Sequence, residues 1–420
     1  MKKIYALLAA SLTLFVASTA SAQDEGFIYG KIYMDDNRTY EGPIRWGKEE
    51  VYWVDVFNAS KEENENVHYL THEERDRLDE KRMWRNGNFS ASSTLRWLGF
   101  GSTHERNYEE DYTHQFACQF GEIRSIRLVS SKRVELELQS GMKVKINGEG
   151  YNDIGTDLKI IDKELGEMEL DWHRIEKIEF KSTPSRLAQK FGEPLYGTVE
   201  TFQGAFTGYI QWDHDERLST DKLDGESEDG KVALIFDKIT SLEPHLNRTK
   251  VVLKSGRELE LRGSNDVNSE NRGIIITTDK GTIIDVPWDE FKKLTLKSGT
   301  TAPVVKYESF KSQKELHATV ITHDGKTLSG RMVLDLDEEY DFELYQGKSE
   351  EIEYSVPLRN IRRIVVSGGD RAEVFLANGE KLSLNESQDV GELNQGVLVF
   401  AGKDKPVYVP WEEVKEIQLN

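Results

Sequence analysis

The stretch LELQSGMKVKI, residues 136–146, decides the fold. Apolar residues alternate with polar ones on both sides of Ser140 and Gly141, which is the pattern of two half-buried strands joined by a tight turn. The same pattern occurs without gaps at residues 251–261, VVLKSGRELEL, and at residues 374–384, VFLANGEKLSL. Because self-similarity at regular spacing is the signature of a repeat protein, the sequence predicts one such β-hairpin in each of three repeats.

A large apolar residue follows each hairpin, with further apolar residues three and six positions later. This spacing is typical of a single 3₁₀ turn that leads into a closing strand, because side chains three apart eclipse one another there. A second set of such turns lies between the first, and an opening hairpin precedes each member of that second set. We therefore expect six turns with core side chains, at Phe120, Trp172, Phe236, Trp288, Leu358 and Trp411.

Together these patterns predict an all-β protein of six small five-stranded barrel-like units, paired into three tandem repeats. Segments that carry Gly and Pro separate the repeats and indicate linkers. The predicted boundaries are repeat 1 at 23–180, a linker at 181–195, repeat 2 at 196–297, a linker at 298–315 and repeat 3 at 316–420.

A five-stranded unit of about 50 residues that a 3₁₀ turn closes resembles the SH3-like and Sm-like small barrels. The resemblance is one of architecture and covers nearly the whole chain after residue 22. Since a unit of this size buries little apolar surface by itself, it implies that two units pair within each repeat.

Repeat 1 carries a mostly helical or irregular insertion, residues 58–116. Residues 70–84 are dense in charge, with Glu73 and Arg77 four positions apart, and this predicts a short solvated helix. Aromatic residues then mix with Gly and Ser, and such side chains give a large contact area at low entropic cost. The alternative is that they fold back over the first unit. The hypothetical ligand-binding residues are Trp84, Phe89, Arg96, Trp97 and Phe100.

The N-terminus has the three parts of an export signal. Two lysines precede an apolar stretch at 4–16, and small residues end at Ala22, so we expect cleavage after Ala22 and residence in the periplasm or outside the cell. The apolar stretch is shorter than the ~20 residues that cross a bilayer, and we predict no membrane span. Cys118 is the one cysteine, so no internal disulfide is expected.

The formal net charge of −20 disfavours nucleic acid and anionic lipid as partners. No motif for nucleophilic, phosphate or zinc-protease chemistry occurs, and no cofactor is expected. His68 and His72 are four apart, as metal ligands on one helix face would be, but a surface pair is the more common meaning of that spacing. The recurring Asp153, Asp266 and Asp389 are typical of turn acids that accept backbone N–H groups.

The sequence therefore favours an exported, non-enzymatic binding or scaffolding protein. Its partner would be a protein or glycan of the cell envelope, contacted through loops or the insertion in repeat 1. One alternative is glycan binding by the aromatic segment of that insertion. Another is a hydrolase with carboxylates at a repeat junction, which a deep cleft lined by carboxylates with raised pKa would favour. The oligomeric state and the relative arrangement of the repeats stay open.

Overall fold

A computed structural model describes residues 23–85, 115–297, 302–387, 389–402 and 405–420. Within these ranges antiparallel β-strands dominate, which confirms the all-β prediction. We group them into three blocks: block 1 is residues 23–180, block 2 is residues 196–297 and block 3 is residues 316–420.

The strands of each block follow one another in chain order. Block 1 contains β1 (Tyr29–Met34), β2 (Thr39–Trp46), β3 (Val56–Lys61), β4 (Gln115–Gln119), β5 (Ile123–Ser130), β6 (Arg133–Leu138), β7 (Lys143–Asn147), β8 (Leu158–Asp162), β9 (Gly166–Leu170) and β10 (Ile175–Phe180). Block 2 contains β11 (Tyr196–Thr201), β12 (Ala205–Trp212), β13 (Lys222–Ser227), β14 (Gly230–Ile235), β15 (Ile239–His245), β16 (Arg248–Leu253), β17 (Glu258–Leu261), β18 (Ile274–Thr277), β19 (Ile283–Val286) and β20 (Phe291–Leu296). Block 3 contains β21 (His317–Thr322), β22 (Thr327–Leu334), β23 (Leu344–Ser349), β24 (Ile352–Pro357), β25 (Ile361–Val366), β26 (Arg371–Leu376), β27 (Lys381–Asn385), β28 (Val397–Phe400), β29 (Val407–Val409) and β30 (Val414–Leu419).

The strand pairing corrects the predicted barrels. In block 1 the opening hairpin β1–β2 pairs with the late strands β10 and β8, whereas β3 to β7 pair among themselves and β5 joins β10. Blocks 2 and 3 repeat the β2–β8 pairing as β12–β18 and β22–β28. The described strands form open antiparallel sheets rather than closed barrels, and their order follows these long-range pairings. Alternating hydrophobicity determines which face of a strand is buried but not which strand lies beside it.

All six predicted 3₁₀ turns are present, and each places its large apolar residue in the core. The backbone N–H of the residue after each turn donates to the carbonyl of the first turn residue, which closes the turn directly before a strand. Further 3₁₀ helices occur elsewhere in the described residues. Those of the six predicted turns are Phe120–Glu122, Trp172–Arg174, Phe236–Lys238, Trp288–Glu290, Leu358–Asn360 and Trp411–Glu413, and the others are Gln23–Gly26, Glu65–Tyr69, Asn265–Val267 and Tyr307–Phe310.

The first part of the insertion packs against block 3. The helix α1 (His72–Arg85) confirms the predicted helix. It is not wholly solvated, because Leu78 is buried together with Leu70 against Val333 and Leu398 of block 3. The insertion therefore ties the first block of the chain to the last.

The segment between blocks 2 and 3 packs on block 1. Tyr307 lies against Trp53 with ring centroids 4.4 Å apart, and its hydroxyl donates to the carbonyl of Ile123 at 2.8 Å. Phe310 is buried in the same apolar cluster. Strand β19 of block 2 also pairs with β24 of block 3. A shared sheet thus joins blocks 2 and 3, and apolar packing holds block 1 to them. Loops from all three blocks meet at one place.

Candidate functional site

A cleft with a volume of about 790 Å³ lies where loops from the three blocks meet. Block 1 contributes residues around Glu49 and Asp153, block 2 contributes residues around His214 and Arg272, and block 3 contributes the turn that follows Lys348. The cleft depends on the assembly of the whole chain, because no single block supplies its walls. We call it the junction cleft.

The wall from block 1 is a tight turn after the buried Trp46. The backbone N–H of Trp46 donates to the carbonyl of Glu50 at 2.8 Å, and Gly47 has a positive φ of 57°. This geometry closes the end of β2 and directs Glu49 and Glu50 to the junction cleft. The corresponding turn of block 2, Trp212–Glu216, brings His214 to the opposite wall.

Carboxylates dominate the lining of the junction cleft. Burial raises the pKa values of several of them, and the charges of neighbouring carboxylates add to the effect. The basic side chains in the lining are Arg272, Lys348 and His214. The acidic side chains in the lining are Glu49, Glu50, Asp55, Asp153, Glu270, Asp285, Asp289, Glu351 and Glu353.

Glu49, Glu50 and Asp153 are the acids whose pKa values are raised in the junction cleft. Burial, then the charge of Asp215 and a hydrogen bond to it, raise the pKa of Glu49 to about 7. Burial also raises the pKa of Asp153 to about 7, although the backbone N–H of Asn58 stabilises its charged form. Burial and the neighbouring Asp153 raise the pKa of Glu50 well above its usual value. The protonation of this wall therefore changes near neutral pH.

His214 and Asp285 form an ion pair on the opposite wall. His214 Nε2 lies 3.1 Å from Asp285 Oδ1. Burial lowers the pKa of His214, but the Asp285 carboxylate more than offsets it, and the pKa of the imidazole is raised. Gly273 lies directly behind the pair with φ at 125°, and a Cβ there would lie 3.1 Å from Asp285 Oδ1 and 2.7 Å from the carbonyl oxygen of Val286. A glycine is therefore needed for this pair to be seated.

Arg272 connects the two walls. Its Nη2 donates to Asp215 Oδ2 at 2.6 Å, and its backbone N–H donates to Asp213 Oδ1 at 2.6 Å. Because Asp215 is hydrogen-bonded to Glu49, the guanidinium holds the acid of block 2 beside the acid of block 1. The arrangement can therefore bind polar or charged groups on a preorganised surface.

The recurring aspartates are structural, as the sequence indicated. Each carboxylate accepts a backbone N–H at 2.6 Å from the third strand of its own block. Of the three, only Asp153 lines the junction cleft. The pairs, acceptor first, are Asp153 with Asn58, Asp266 with Asp224 and Asp389 with Gln346.

A second set of acids recurs that the sequence analysis missed. In each block an acid follows four residues after the end of the second strand, and another acid follows five residues later. The later acid accepts two backbone N–H groups in its own block and pairs with a cation of another block. The spacing after Trp46, Trp212 and Leu334 is a signal that could have revealed them. The pairs of acids are Glu50 and Asp55, Glu216 and Asp221, and Glu338 and Glu343, and the cations are Arg217, Arg45 and Lys61 respectively.

The ligand-binding residues predicted in the insertion are not tested by the structure. Trp84 lies in α1, but its side chain is outside the described residues. The other four lie wholly outside them; they are Phe89, Arg96, Trp97 and Phe100.

The weak metal candidates lie on the surface. The side chain of His72 is 92% exposed, and its Nε2 lies 4.0 Å from Asp76 Oδ2. His68 is exposed as well. Among the described residues there is no group of three His, Cys, Asp or Glu side chains that could hold a metal ion. Cys118 is a buried free thiol, and burial raises its pKa well above the usual value, as expected for an inert cysteine.

Comparison with protein-family models gave no match, and comparison with curated protein sequences gave none either. Within the described ranges, every helix is too short or too polar to cross a membrane.

Proposed function

We propose that this chain is an exported, non-enzymatic binding or scaffolding protein whose partner, a protein or glycan of the cell envelope, is contacted at the junction cleft. The observation that carries the proposal is the convergence of loops from three blocks on one cavity of about 790 Å³. The volume of the cavity lies in the range of about 300–1,000 Å³ that is usual for ligand sites.

Buried ion pairs between blocks support a rigid site. Arg217 of block 2 pairs with Asp55 of block 1, and Lys61 of block 1 lies 2.7 Å from Asp337 and 3.0 Å from Glu343 of block 3. A preorganised surface loses less conformational entropy on binding than a flexible one. A site held rigid by these ion pairs therefore favours binding of a partner over catalysis that needs loop motion.

The proposal includes six barrel-like units, diverged copies of one small unit, that are paired into three tandem repeats. The pairing of the second strand with the eighth strand in every block supports it. On this proposal the SH3-like resemblance applies to strand groups such as β3 to β7, which are separated from the opening hairpin by β10 in the sheet. Export, with cleavage after Ala22, is the part that N-terminal sequencing of the protein from an envelope fraction tests directly.

Site-specific photo-crosslinking tests the proposed binding site. A benzophenone amino acid replaces Ser269, which is exposed at the junction cleft, and in a matched control it replaces Leu246, which is 93% exposed on the β15–β16 hairpin. In intact cells we expect a crosslinked envelope component from position 269 and not from position 246. The same products from both positions, or none from position 269, would contradict the proposal.

A hydrolase is the second candidate, and the raised pKa values of Glu49 and Asp153 in one cleft favour it. Glu49→Gln keeps the shape of the side chain and removes its titration. A hydrolase of envelope polymers would lose activity on its substrate in this variant, whereas a binding protein would show no turnover with either form. Glycan binding by the insertion stays a separate prediction, which a glycan array with Trp97→Ala tests.

A further inference from the structure

Blocks 2 and 3 are joined by a short antiparallel strand pair, β19–β24. Its register places Ile284 opposite Tyr354 and Asp285 opposite Glu353. Both strands use the edge that faces away from their own hairpin partners, β18 and β23. This joint shows how an outer strand of one block adds to an outer strand of another.

Strands β9 and β14 occupy the corresponding places in blocks 1 and 2. Strand β9 pairs with β8 in the register in which β19 pairs with β18, and β14 pairs with β13 as β24 pairs with β23. Among the described residues, neither β9 nor β14 has a strand on its outer edge. An open edge offers unpaired backbone N–H and C=O groups to another strand.

Superposing the β19–β24 register on these two edges gives complementary pairs. Glu169 comes opposite Lys231, and Met168 comes opposite Val232. Opposite charges across a strand pair stabilise it, and like charges destabilise it. In the β19–β24 joint the corresponding position holds two acids, Asp285 and Glu353. The opposite charges of Glu169 and Lys231 are therefore specific to the β9–β14 pair and are not copied from that joint.

Two exposed apolar side chains lie beside these edges. Leu165 is in the turn directly before β9, and Ile235 ends β14. Leu165 is 64% exposed and Ile235 is 41% exposed, and both belong to the small set of large apolar residues that the described structure leaves in water. A strand pair between β9 and β14 would reduce this exposure.

We propose that β9 of one copy of this chain pairs with β14 of a second copy, so that the protein self-associates through a joint like β19–β24. The two strands are not hydrogen-bonded to each other within one chain, so a second copy can supply the complementary edge. Lys231 on the edge discourages pairing with arbitrary strands, and Glu169 is the residue that satisfies it. This inference does not depend on the proposed ligand.

Charge reversal across the joint tests the inference. Multi-angle light scattering over a wide range of concentration should show the mature protein above its monomer mass. Lys231→Glu places two acids opposite each other, and Glu169→Lys places two lysines there. Each variant should weaken self-association by about fivefold or more, and the double variant should restore it. Lys415→Glu and Glu176→Lys, at exposed strand positions away from the joint, are the matched controls.

Two results would overturn the proposal. One is a wild-type protein that stays monomeric at the highest concentration reached. The other is self-association that Lys231→Glu and Glu169→Lys leave unchanged. Because all four substitutions are at exposed positions, circular dichroism should show the same folded state for each. A lower mass in light scattering then shows that association through the β9–β14 pair is weaker.

Discussion

The guanidinium of Arg217, in block 2, donates a hydrogen bond to the carboxylate of Asp55, in block 1. Arg217 is 1% exposed, its Nη2 lies 3.5 Å from Thr277 Oγ1, and its Cζ lies 5.4 Å from the ring of Tyr52 and 5.8 Å from that of Tyr209. An ion pair removed from water therefore lies at the interface between the first two blocks, directly behind the junction cleft.

Arg217→Met should strongly destabilise the protein. The methionine keeps the apolar contact with the tyrosine rings but leaves Asp55 as a buried charge without its cation. Breaking a buried pair in this way costs about 3–5 kcal/mol of the free energy of unfolding. Urea denaturation at neutral pH measures the loss.

Arg38→Met is the matched control, because Arg38 pairs with Asp36 at the surface, where water screens the charges, and its loss should change stability little. The double variant Arg217→Met with Asp55→Asn should recover part of the stability, since no unpaired charge is then buried. Equal losses for Arg217→Met and Arg38→Met would show that the buried pair has no special role.

The sequence predicted what depends on neighbours along the chain and missed what depends on distant contacts. Spacing of three residues revealed the six 3₁₀ turns that begin at Phe120, Trp172, Phe236, Trp288, Leu358 and Trp411, because side chains three apart eclipse one another in such a turn. Arg217 and Asp55 are 162 residues apart, and no local pattern records that they meet. The junction cleft could not be predicted for the same reason, although the recurring acids after Trp46 and Trp212 gave a signal of its walls.

Gly121→Ala should loosen the segment between blocks 2 and 3 from block 1. A Cβ at position 121 would overlap the ring of Phe310, which is buried against block 1. Forcing a methyl group into a packed core costs about 1–3 kcal/mol. Thermal unfolding measures the loss, and Gly402→Ala, where a Cβ would meet no atom within 4 Å, is the control. Adding Phe310→Ala to Gly121→Ala should cost less than the separate effects summed, and full additivity would contradict the contact.

Leu78→Ala should detach α1 from block 3. Leu78 is 6% exposed and packs with Val333 and Leu398, so its truncation should remove about 2–4 kcal/mol of local stability. Hydrogen exchange of the α1 amides measures the effect and should accelerate. Arg77→Ala, which removes only an exposed ion pair with Glu73, should change exchange little. Unchanged protection in Leu78→Ala would mean that other contacts hold the helix.

Stability should fall as the pH rises from about 5 to about 8. Burial raises the pKa of Glu122 to about 7 and that of Asp389 to about 7, as it does for Glu49 and Asp153. An acid with a raised pKa holds its proton more tightly in the folded chain than in the unfolded one. Its contribution is therefore complete below the unfolded pKa of about 4 and is lost as the pH rises through about 7. Urea unfolding midpoints at several pH values measure the slope.

Glu216 extends the fall of stability with rising pH to higher pH values. Burial, and then the charge of Asp266, raise the pKa of Glu216 to about 9, and its Oε2 is buried without a hydrogen-bond partner among the described residues. Glu216→Gln resembles the protonated acid at every pH. We expect it to gain stability relative to the wild type between pH 7 and pH 9, because the wild-type acid must bind a proton when the chain folds and the amide need not. The exposed Glu228→Gln should instead give a curve parallel to that of the wild type. Parallel curves for both variants would show that Glu216 titrates in the folded protein as it does in the unfolded chain.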